Sequence, residues 1–430
     1  MIEASCKRAH WGPRYIGVFL LSAATLMLQI SYTRILSVAL WHHFVWMIVS
    51  IALFGYAASG TLLSVHQKFL KSDVDRMLTI SSALFSVSAL ISYGVLNHVP
   101  FDPSKLAWDR LQILYVSAYY LLLSIPFFFS GLTMALSVVR ARNRINGIYF
   151  SSLLGSAIGS ISALPLFPSL TGPGVMVFTS IIAGASTLTF ALNLNRRSLV
   201  PITGWILTLL LILPYSGGLL PVRISPFKSL MVALRYPNAT LIETDWNAFS
   251  RVDVIRSGYV RHAPGLSLHY GDPIPDQIGV TVDGDSLDAI TRFDGKHSSL
   301  AFTSFLPTSL PYQLLVAPRV LVVDAGGGLD VLTALHHNSS RIEAVEVNPI
   351  IVEHVQENYD IFSGNIYRNE RVTVSVSEGR SFIQGSKEEY DIIVISMTDS
   401  SSASSTGIYA LSENYIYTIE SFREFLMSCC

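Results

Sequence analysis

Residues 319–337 read RVLVVDAGGGLDVLTALHH, and this stretch decides the fold of the C-terminal part of the chain. The apolar run Val320–Val323 predicts a short buried strand, and the leucine-rich segment after the glycines predicts a helix. Glycines admit a ligand where any Cβ would collide, and the helix directs free N–H groups and its positive dipole end to the same point. The predicted ligand-contacting residues of this stretch are Asp324, Gly326, Gly327 and Gly328.

Three further segments repeat the pattern of a strand that ends in a polar residue. RIEAVEVNP predicts a strand ending at Glu346, RVTVSVSEGRSFI a strand ending at Glu378 and Gly379, and YDIIVISMTDSSS a fourth strand ending near Ser396. In an open parallel sheet, ligands bind at the carboxyl ends of the strands. We therefore predict a Rossmann-like α/β domain whose binding residues lie along one edge.

The acids after the second and third strands indicate which ligand this edge binds. Glu346 lies about 20 residues beyond the glycine turn, where an acid can accept hydrogen bonds from both ribose hydroxyls. A dinucleotide is the alternative, but its glycine fingerprint would require glycine at Val331. In an adenosyl nucleoside without phosphates, the adenine amino group can donate a hydrogen bond to Glu378. We therefore predict a ligand of the S-adenosylmethionine type.

The N-terminal half differs from this domain in amino-acid composition. Half of the chain's residues are hydrophobic and only 14% are charged, whereas soluble domains carry roughly 25%. A bilayer core about 30 Å thick requires roughly 20 apolar residues in a helix. Seven stretches satisfy this requirement and predict a membrane-embedded helical domain over 1–222, with the lipid bilayer as partner: 15–37, 44–66, 77–98, 111–139, 148–168, 173–194 and 199–220.

Between these parts, 223–315 alternates β-branched and polar residues and predicts a small β-rich segment before the Rossmann-like domain at 316–430. Cys6, Cys429 and Cys430 provide no metal-binding spacing, and we predict no metal. The chain also lacks a basic stripe with interleaved aromatic residues, so we predict no nucleic-acid partner.

The motifs above resemble those of spermidine-synthase-like proteins, in particular the membrane-fused bacterial members. The resemblance includes IPFFFSGLTMALSVV and INGIYFSSLLGSAIGS in the apolar half, and VLVVDAGGG, VEVNP and YALSENYIYTIESFREFL in the other half. It implies a small β domain before a class I methyltransferase-like sheet. It further implies aminopropyl transfer from decarboxylated S-adenosylmethionine to an amine, with Gly326, Gly328, Glu346 and Glu378 holding the nucleoside.

At the catalytic positions the sequence departs from this family. Soluble members carry Asp-Ser-x-Asp-Pro after strand four, and the first Asp deprotonates the attacking amine. Here Ser396 occupies that position, and Asp399 is the acid that remains. A neutral serine cannot act as a carboxylate base. By this resemblance the sheet is also incomplete, since about three further strands would follow the last helix.

The basic residues of the loops place the N-terminus in the cytoplasm. Seven crossings would then leave the C-terminal domain outside, where adenosyl cofactors are not supplied. The segment 111–139, interrupted by Pro126, is a candidate for a helix that does not cross. We predict a protein of the bacterial inner membrane with its soluble domain in the cytoplasm.

Three functions are compatible with these patterns. The first is a membrane-anchored transferase that uses S-adenosylmethionine or its decarboxylated form and transfers an aminopropyl or methyl group to an amine or other small acceptor. The second is a non-catalytic nucleoside-binding scaffold or sensor. The third is a transporter with a regulatory nucleoside domain, which the lack of charges within the spans disfavours.

Overall fold

The structure, a computed structural model, describes residues 11–40, 45–66, 73–141, 144–192, 194, 199–395 and 415–429. The chain divides into two compact units. The first comprises Met1–Ser225 and Trp246–Phe249, and the second comprises Pro226–Asp245 and Ser250–Cys430. Each unit has hydrophobic clusters of its own.

The first unit is helical. Its sequence is so uniformly apolar that helices buried in a core or in a bilayer, rather than amphipathic surface helices, are expected. The helices are α1 (Trp11–Ala39), α2 (Val45–Val65), α3 (Val74–Leu96), α4 (Leu111–Arg140), α5 (Ile145–Ala163), α6 (Phe167–Ala191), α7 (Leu199–Ile212) and the short α8 (Ser216–Leu219).

The number of separate spans differs from the sequence prediction. Seven were predicted, whereas six runs of the described residues are long and apolar enough to cross a membrane. The difference lies in the 47-residue run Ile145–Ala191, which contains the fifth and sixth predicted spans. A 3-10 turn at Leu164–Leu166 joins α5 to α6 without a loop, and a kink at Thr171, with φ of 62°, interrupts α6.

A stripe of small residues packs α5 against α1, as the four-residue spacing of these residues predicts. A Cβ on Gly155 would overlap the backbone of Phe19, and one on Gly159 would overlap the backbone of Ala23. The two helices approach so closely only because both positions are glycine. Since the residue numbers of both helices rise from the first of these contacts to the second, α5 runs parallel to α1. The residues of this stripe are buried: Ser151, Gly155, Gly159 and Ala163.

Helix α6 packs against α1 in the opposite direction. Gly172 near its start lies against Ile35, whereas Ser186 near its end donates a 2.7 Å hydrogen bond to the carbonyl of Gly17. Since α5 is parallel and α6 antiparallel to α1, the 47-residue run reverses direction between them. The run therefore has the geometry of two consecutive crossings.

Replacing Gly159 by leucine should destabilise the helical unit, because the side chain would be forced between α5 and α1. Overpacking of this kind costs about 1–3 kcal/mol. Gly60 in α2 provides the matched control, since a Cβ there meets no atom within 4 Å. We expect the thermal unfolding midpoint of the detergent-solubilised chain to fall for Gly159→Leu and to stay within a degree or two for Gly60→Leu. Equal midpoints for the two variants would contradict the packing role.

The second unit contains two four-stranded sheets. The strands of the first sheet, in spatial order, are β1 (Thr240–Trp246), β2 (Arg251–Arg256), β3 (Gln277–Val282) and β4 (Asp285–Thr291). Strands β2, β3 and β4 pair antiparallel. The second sheet consists of β5 (Arg319–Val323), β6 (Arg341–Glu346), β7 (Val372–Val376) and β8 (Ile392–Ile395), in the spatial order β7-β6-β5-β8 and all parallel.

Parallel strands require helical crossovers, and the sequence between them provides these. The helices of this unit are α9 (Ser229–Ala233), α10 (Leu329–His336), α11 (Pro349–Glu353), α12 (Asp360–Ser363), α13 (Gly379–Gly385) and α14 (Ile419–Met427). Both sheets contribute to one core, in which Val252 and Ile290 belong to the same cluster as Val320 and Leu332. The predicted order of an apolar helical bundle, a small β-rich segment and a Rossmann-like sheet is confirmed.

Two adjacent histidines at the C-terminal end of α10, His336 and His337, are partly buried and pack against other rings. The ring of His336 lies 6.0 Å from that of His297, and Tyr312 stacks on His337 at 5.2 Å. Burial lowers the pKa of both His336 and His337, and for His336 the neighbouring His337 and His297 lower it further. The folded state therefore resists protonation of this pair.

We expect this pair to make the folded state less stable in mild acid. Below the ordinary histidine pKa of about 6.5, the unfolded chain takes up protons before the folded chain does, so the free energy of unfolding falls as the pH falls. Replacing both His336 and His337 by glutamine should reduce the loss of thermal midpoint between about pH 7.5 and pH 5.5. His269→Gln, at an exposed position, is the control. An unchanged pH dependence in the double variant would refute the prediction.

Candidate functional site

The parallel sheet gathers acidic residues at one edge. Asp324 follows the last residue of β5, Glu346 ends β6, and Glu378 follows β7 after one residue. Because Val323 pairs with Val345 and Glu346 pairs with Val376, these strands end level with one another. The three acids therefore lie at the carboxyl edge of adjacent strands, the edge at which open parallel sheets bind ligands.

The turn after β5 depends on its glycines. Gly326 and Gly328 have φ of +51° and +91°, in the left-handed region that favours glycine. A Cβ on Gly327 would overlap the backbone of Ala289, and one on Gly328 would overlap the side chain of Ile366. The sequence predicts a ligand in this space, whereas protein atoms fill it in the structure. The glycines thus allow the turn to pack against β4.

Asp288 of β4, which no motif of the sequence singles out, contacts this turn. Its Oδ2 accepts a 2.5 Å hydrogen bond from the N–H of Gly327, and its Oδ1 lies 3.5 Å from Nε2 of His262. A carboxylate of the first sheet therefore accepts a hydrogen bond from an N–H group just before α10. The N-terminal end of a helix is a position that favours an anion. The pattern DSLDAIT predicts that Asp288 lies in a strand, but no pattern in the sequence predicts its contact with Gly327.

Glu346 is buried, with 1% of its surface exposed. Its Oε2 accepts a 3.0 Å hydrogen bond from the N–H of Gly326, and its Oε1 accepts one of 2.8 Å from the N–H of Asn348. Burial raises the pKa of Glu346; hydrogen bonds from Asn348 and Gly326 and one with Asp324 oppose the rise, and the charge of Asp288 adds to it. A carboxylate offers about four lone pairs, so after these three hydrogen bonds about one remains for a further donor.

Negative charge accumulates around the glycine turn. The hydroxyl of Tyr367 donates a 2.7 Å hydrogen bond to the carbonyl of Gly326. The pKa of this hydroxyl is raised well above its ordinary value, first by burial and then by nearby carboxylates. These carboxylates belong to Glu346, Asp288, Asp324 and Asp330. Such a site attracts a cation and repels a pyrophosphate, which argues against the dinucleotide alternative.

Glu378 and Gly379 perform local structural tasks at the neighbouring strand end. Glu378 caps α13, accepting hydrogen bonds of 3.0 Å from the N–H of Arg380 and 2.8 Å from that of Ser381. Partial burial raises the pKa of Glu378, but the hydrogen bonds from Ser381 and Arg380 outweigh it and the net shift is downward. A Cβ on Gly379 would overlap Val323, so this glycine lets α13 approach β5. Glu378 is exposed, and its ionised carboxylate is open to solvent.

The predicted catalytic positions, Ser396 and Asp399, lie outside the described residues, and β8 ends at Ile395. Their proposed roles remain predictions. Since β8 pairs with β5, Ile395 lies beside Val323, the residue before Asp324.

A four-stranded parallel sheet with the spatial order third-second-first-fourth and acids at its carboxyl edge defines the class as a Rossmann-like α/β fold. Residues 309–421 match the family model described as "Spermine/spermidine synthase domain". This part of the chain is spermidine-synthase-like.

Curated relatives agree with this assignment. The chain is 25% identical over 128 residues to the polyamine aminopropyltransferase of Sulfolobus acidocaldarius, a match that covers 28% of this chain and 42% of the relative. It is 29% identical over 136 residues to the polyamine aminopropyltransferase of Pectobacterium atrosepticum, covering 30% of this chain and 47% of the relative. The chain thus spans less than half the length of these relatives.

Among solved structures, the spermidine synthase from Thermotoga maritima is similar at 16% identity and a TM-score of 0.29. That alignment covers 44% of this chain and 53% of the other. A spermidine synthase in complex with the transition-state analogue AdoDATO is similar at 15% identity and a TM-score of 0.28, covering 44% of this chain and 52% of that one.

Replacing Gly328 by alanine should destabilise the second unit more than the same change at Gly295. Both glycines have positive φ, +91° and +82°, but a Cβ at Gly295 meets no atom within 4 Å. Gly295→Ala therefore isolates the backbone cost, about 1 kcal/mol, while Gly328→Ala adds the overlap with Ile366. We expect about 1–3 kcal/mol of further loss in the free energy of unfolding. Equal losses would show that the turn has room for a side chain.

Proposed function

We propose that this chain is a membrane-anchored, spermidine-synthase-like transferase that binds decarboxylated S-adenosylmethionine and transfers its aminopropyl group to a small amine. The observation that supports this proposal most strongly is the group of carboxylates around the glycine turn. Decarboxylated S-adenosylmethionine carries a sulfonium and an ammonium group and no carboxylate. A cluster of acids at the edge that binds the nucleoside therefore complements its charge.

The position of Asp288 favours the decarboxylated form over S-adenosylmethionine itself. The α-carboxylate of S-adenosylmethionine would need donors such as the N–H groups near the start of α10. The Gly327 N–H already donates to Asp288, so it is not available to a ligand carboxylate. The negative charge of Asp288 would also repel that carboxylate. An ammonium group in the same place would instead be attracted by Asp288.

The predicted site residues other than Gly379 have roles in this proposal. Glu346 accepts a hydrogen bond from a ribose hydroxyl with the lone pair left by Gly326, Asn348 and Asp324, and Glu378 accepts one from the adenine amino group. The glycine turn and Asp324 line the tail of the ligand. Asp399 is the proposed partner of the amine acceptor, while Ser396, which cannot act as a carboxylate base, marks the departure from the family.

Aminopropyl transfer requires little of the protein beyond orientation and the removal of one proton. The lone pair of the acceptor nitrogen attacks the carbon next to the sulfonium sulfur, and a C–N bond forms as the C–S bond breaks. The electrons of the C–S bond remain on sulfur, which leaves as a neutral thioether. The proton released from nitrogen passes to a carboxylate, for which Asp399 is the candidate, or to water. The acids help to hold both cationic reactants together.

The six apolar runs support the proposed membrane anchoring, since each is long enough to cross a bilayer. We place the protein in a bacterial inner membrane, with the second unit in the cytoplasm where adenosyl compounds are made. The proposed partners are the lipid bilayer and a small amine.

Calorimetric titration of the detergent-solubilised chain should show tighter binding of decarboxylated S-adenosylmethionine than of S-adenosylmethionine. We expect Asp288→Asn to reduce this preference by roughly tenfold, because about 1.4 kcal/mol of charge discrimination corresponds to that factor. Glu346→Gln should weaken both ligands. Glu370, an exposed acid before the opposite end of β7, provides the control variant Glu370→Gln, for which both affinities should be unchanged.

The same preparation distinguishes the three functions. Release of a thioether nucleoside in the presence of an amine would support the transferase. Binding without turnover for any amine tested would replace it with a scaffold or sensor. Nucleoside-dependent solute flux across proteoliposomes would indicate a transporter. Absence of binding to the folded chain would refute the nucleoside site itself.

A further inference from the structure

A second cluster of polar side chains in the second unit lies apart from the residues of the glycine turn. Glu243 and Asp245 are two residues apart on β1, so their side chains project from the same face of the strand. His354 begins a single π-helical turn, His354–Asn358, directly after α11. One potential ligand atom from each of the three residues lies within 4.8 Å of the other two.

Two atoms at the centre of this cluster lack hydrogen-bond partners. His354 is 2% exposed, and its buried Nε2 forms no hydrogen bond. The buried Oδ2 of Asp245 also forms none, although it lies only 3.3 Å from this Nε2. Buried polar atoms are nearly always satisfied, by hydrogen bonds or by a metal ion. The unsatisfied Nε2, aimed at a carboxylate from a nearly fully buried ring, is therefore an independent indication of a missing partner.

The separation of these atoms suits a bound metal ion. Bonds of about 2.1 Å from zinc to nitrogen and oxygen, at a tetrahedral angle, place two ligand atoms about 3.4 Å apart. Nε2 of His354 and Oδ2 of Asp245 are 3.3 Å apart. Glu243 supplies a third oxygen within reach. The side chains of Glu243 and Asp245 are 38% and 40% exposed, so an ion can enter and water can complete the coordination.

The surroundings of the cluster resemble the outer shell of a metal site. Nδ1 of His354 lies 3.1 Å from the side-chain amide of Asn358, and the hydroxyl of Tyr359 donates a 3.5 Å hydrogen bond to Oε2 of Glu243. A metal-binding histidine usually donates its other N–H to an oxygen, which the amide of Asn358 offers when its oxygen and nitrogen exchange places. Nε2 is then free of a proton and available as a ligand.

We propose that Glu243, Asp245 and His354 form a binding site for a divalent first-row transition-metal cation, with Zn²⁺ as the expected occupant. Two carboxylates and a neutral imidazole carry a charge of about −2, which a divalent cation neutralises. An imidazole ligand selects transition metals over Mg²⁺ and Ca²⁺, and among them Zn²⁺ binds more tightly than Mn²⁺ or Fe²⁺. The ion would fasten β1, the outer strand of the first sheet, to the crossover segment after β6.

The test uses the untagged, detergent-solubilised full chain after removal of metals by a chelator. Titration with ZnCl₂ should show one site per chain, and zinc should raise the thermal midpoint. Asp245→Asn, which keeps the shape of the side chain and removes its charge, should weaken zinc binding at least tenfold and abolish the stabilisation. His354→Gln should do the same, and His269→Gln, at an exposed histidine, should behave as the wild type.

Cobalt provides a readout that a merely structural role of these residues would not produce. CoCl₂ should give visible absorption bands with the wild type and with His269→Gln, but not with Asp245→Asn. The proposal is overturned if the folded wild type binds no zinc, or if Asp245→Asn binds it as tightly. Equal stabilisation by MgCl₂ would overturn the assignment to a transition metal. The cluster would then be an ion pair between His354 and its two carboxylates or a site for a hard cation.

Discussion

Two backbone N–H groups, those of Gly326 and Asn348, hold the buried carboxylate of Glu346, and the carboxyl edge of the parallel sheet depends on this arrangement. A buried carboxylate without partners would cost several kcal/mol. With them, one side chain fixes the turn after β5 and the start of α11 together. The fixed turn brings Gly327 against Ala289 and Asp288, which ties β4 of the first sheet to the second sheet.

The helical unit uses glycine in a related way. In α5 the lack of a Cβ at Gly155 and Gly159 allows α1 to approach until backbone meets backbone. In the turn after β5, Gly327 allows the same approach to Ala289. In both places glycine serves close packing between elements, and a larger residue would separate them. The physical reason is the same in an apolar bundle and at the edge of a sheet, because dispersion and hydrogen bonding both require short distances.

The sequence predicted well what depends on local pattern. The strand before the glycine turn and the acids at three strand ends follow from periodicity and spacing, and the structure has them. Two features were missed because they join distant residues. Asp288 reaches Gly327 across 39 positions, and His354 reaches Glu243 and Asp245 across more than a hundred. The prediction of no metal considered only cysteine spacing and could not detect this cluster.

The join between α5 and α6 was also beyond the local pattern. Pro165, Pro168 and Pro173 lie at this join, where a 3-10 turn and a kink at Thr171 let the chain reverse direction without an intervening loop. Proline is compatible with the first turn of a helix, so it marks a boundary without requiring a loop. The number of separate runs therefore depends on backbone angles that hydrophobicity does not encode.

The charges at the sheet edge restrict what this site can bind more strongly than its shape does. Dinucleotide-binding folds keep the N–H groups after the first strand free, because the pyrophosphate needs them. Here the N–H of Gly327 donates a hydrogen bond to Asp288, and the N–H of Gly326 donates one to Glu346. A turn whose donors are engaged by the protein's own carboxylates offers a ligand mainly acceptors. Its ligand should therefore bring donors and positive charge, and an adenosyl sulfonium with a terminal ammonium brings both.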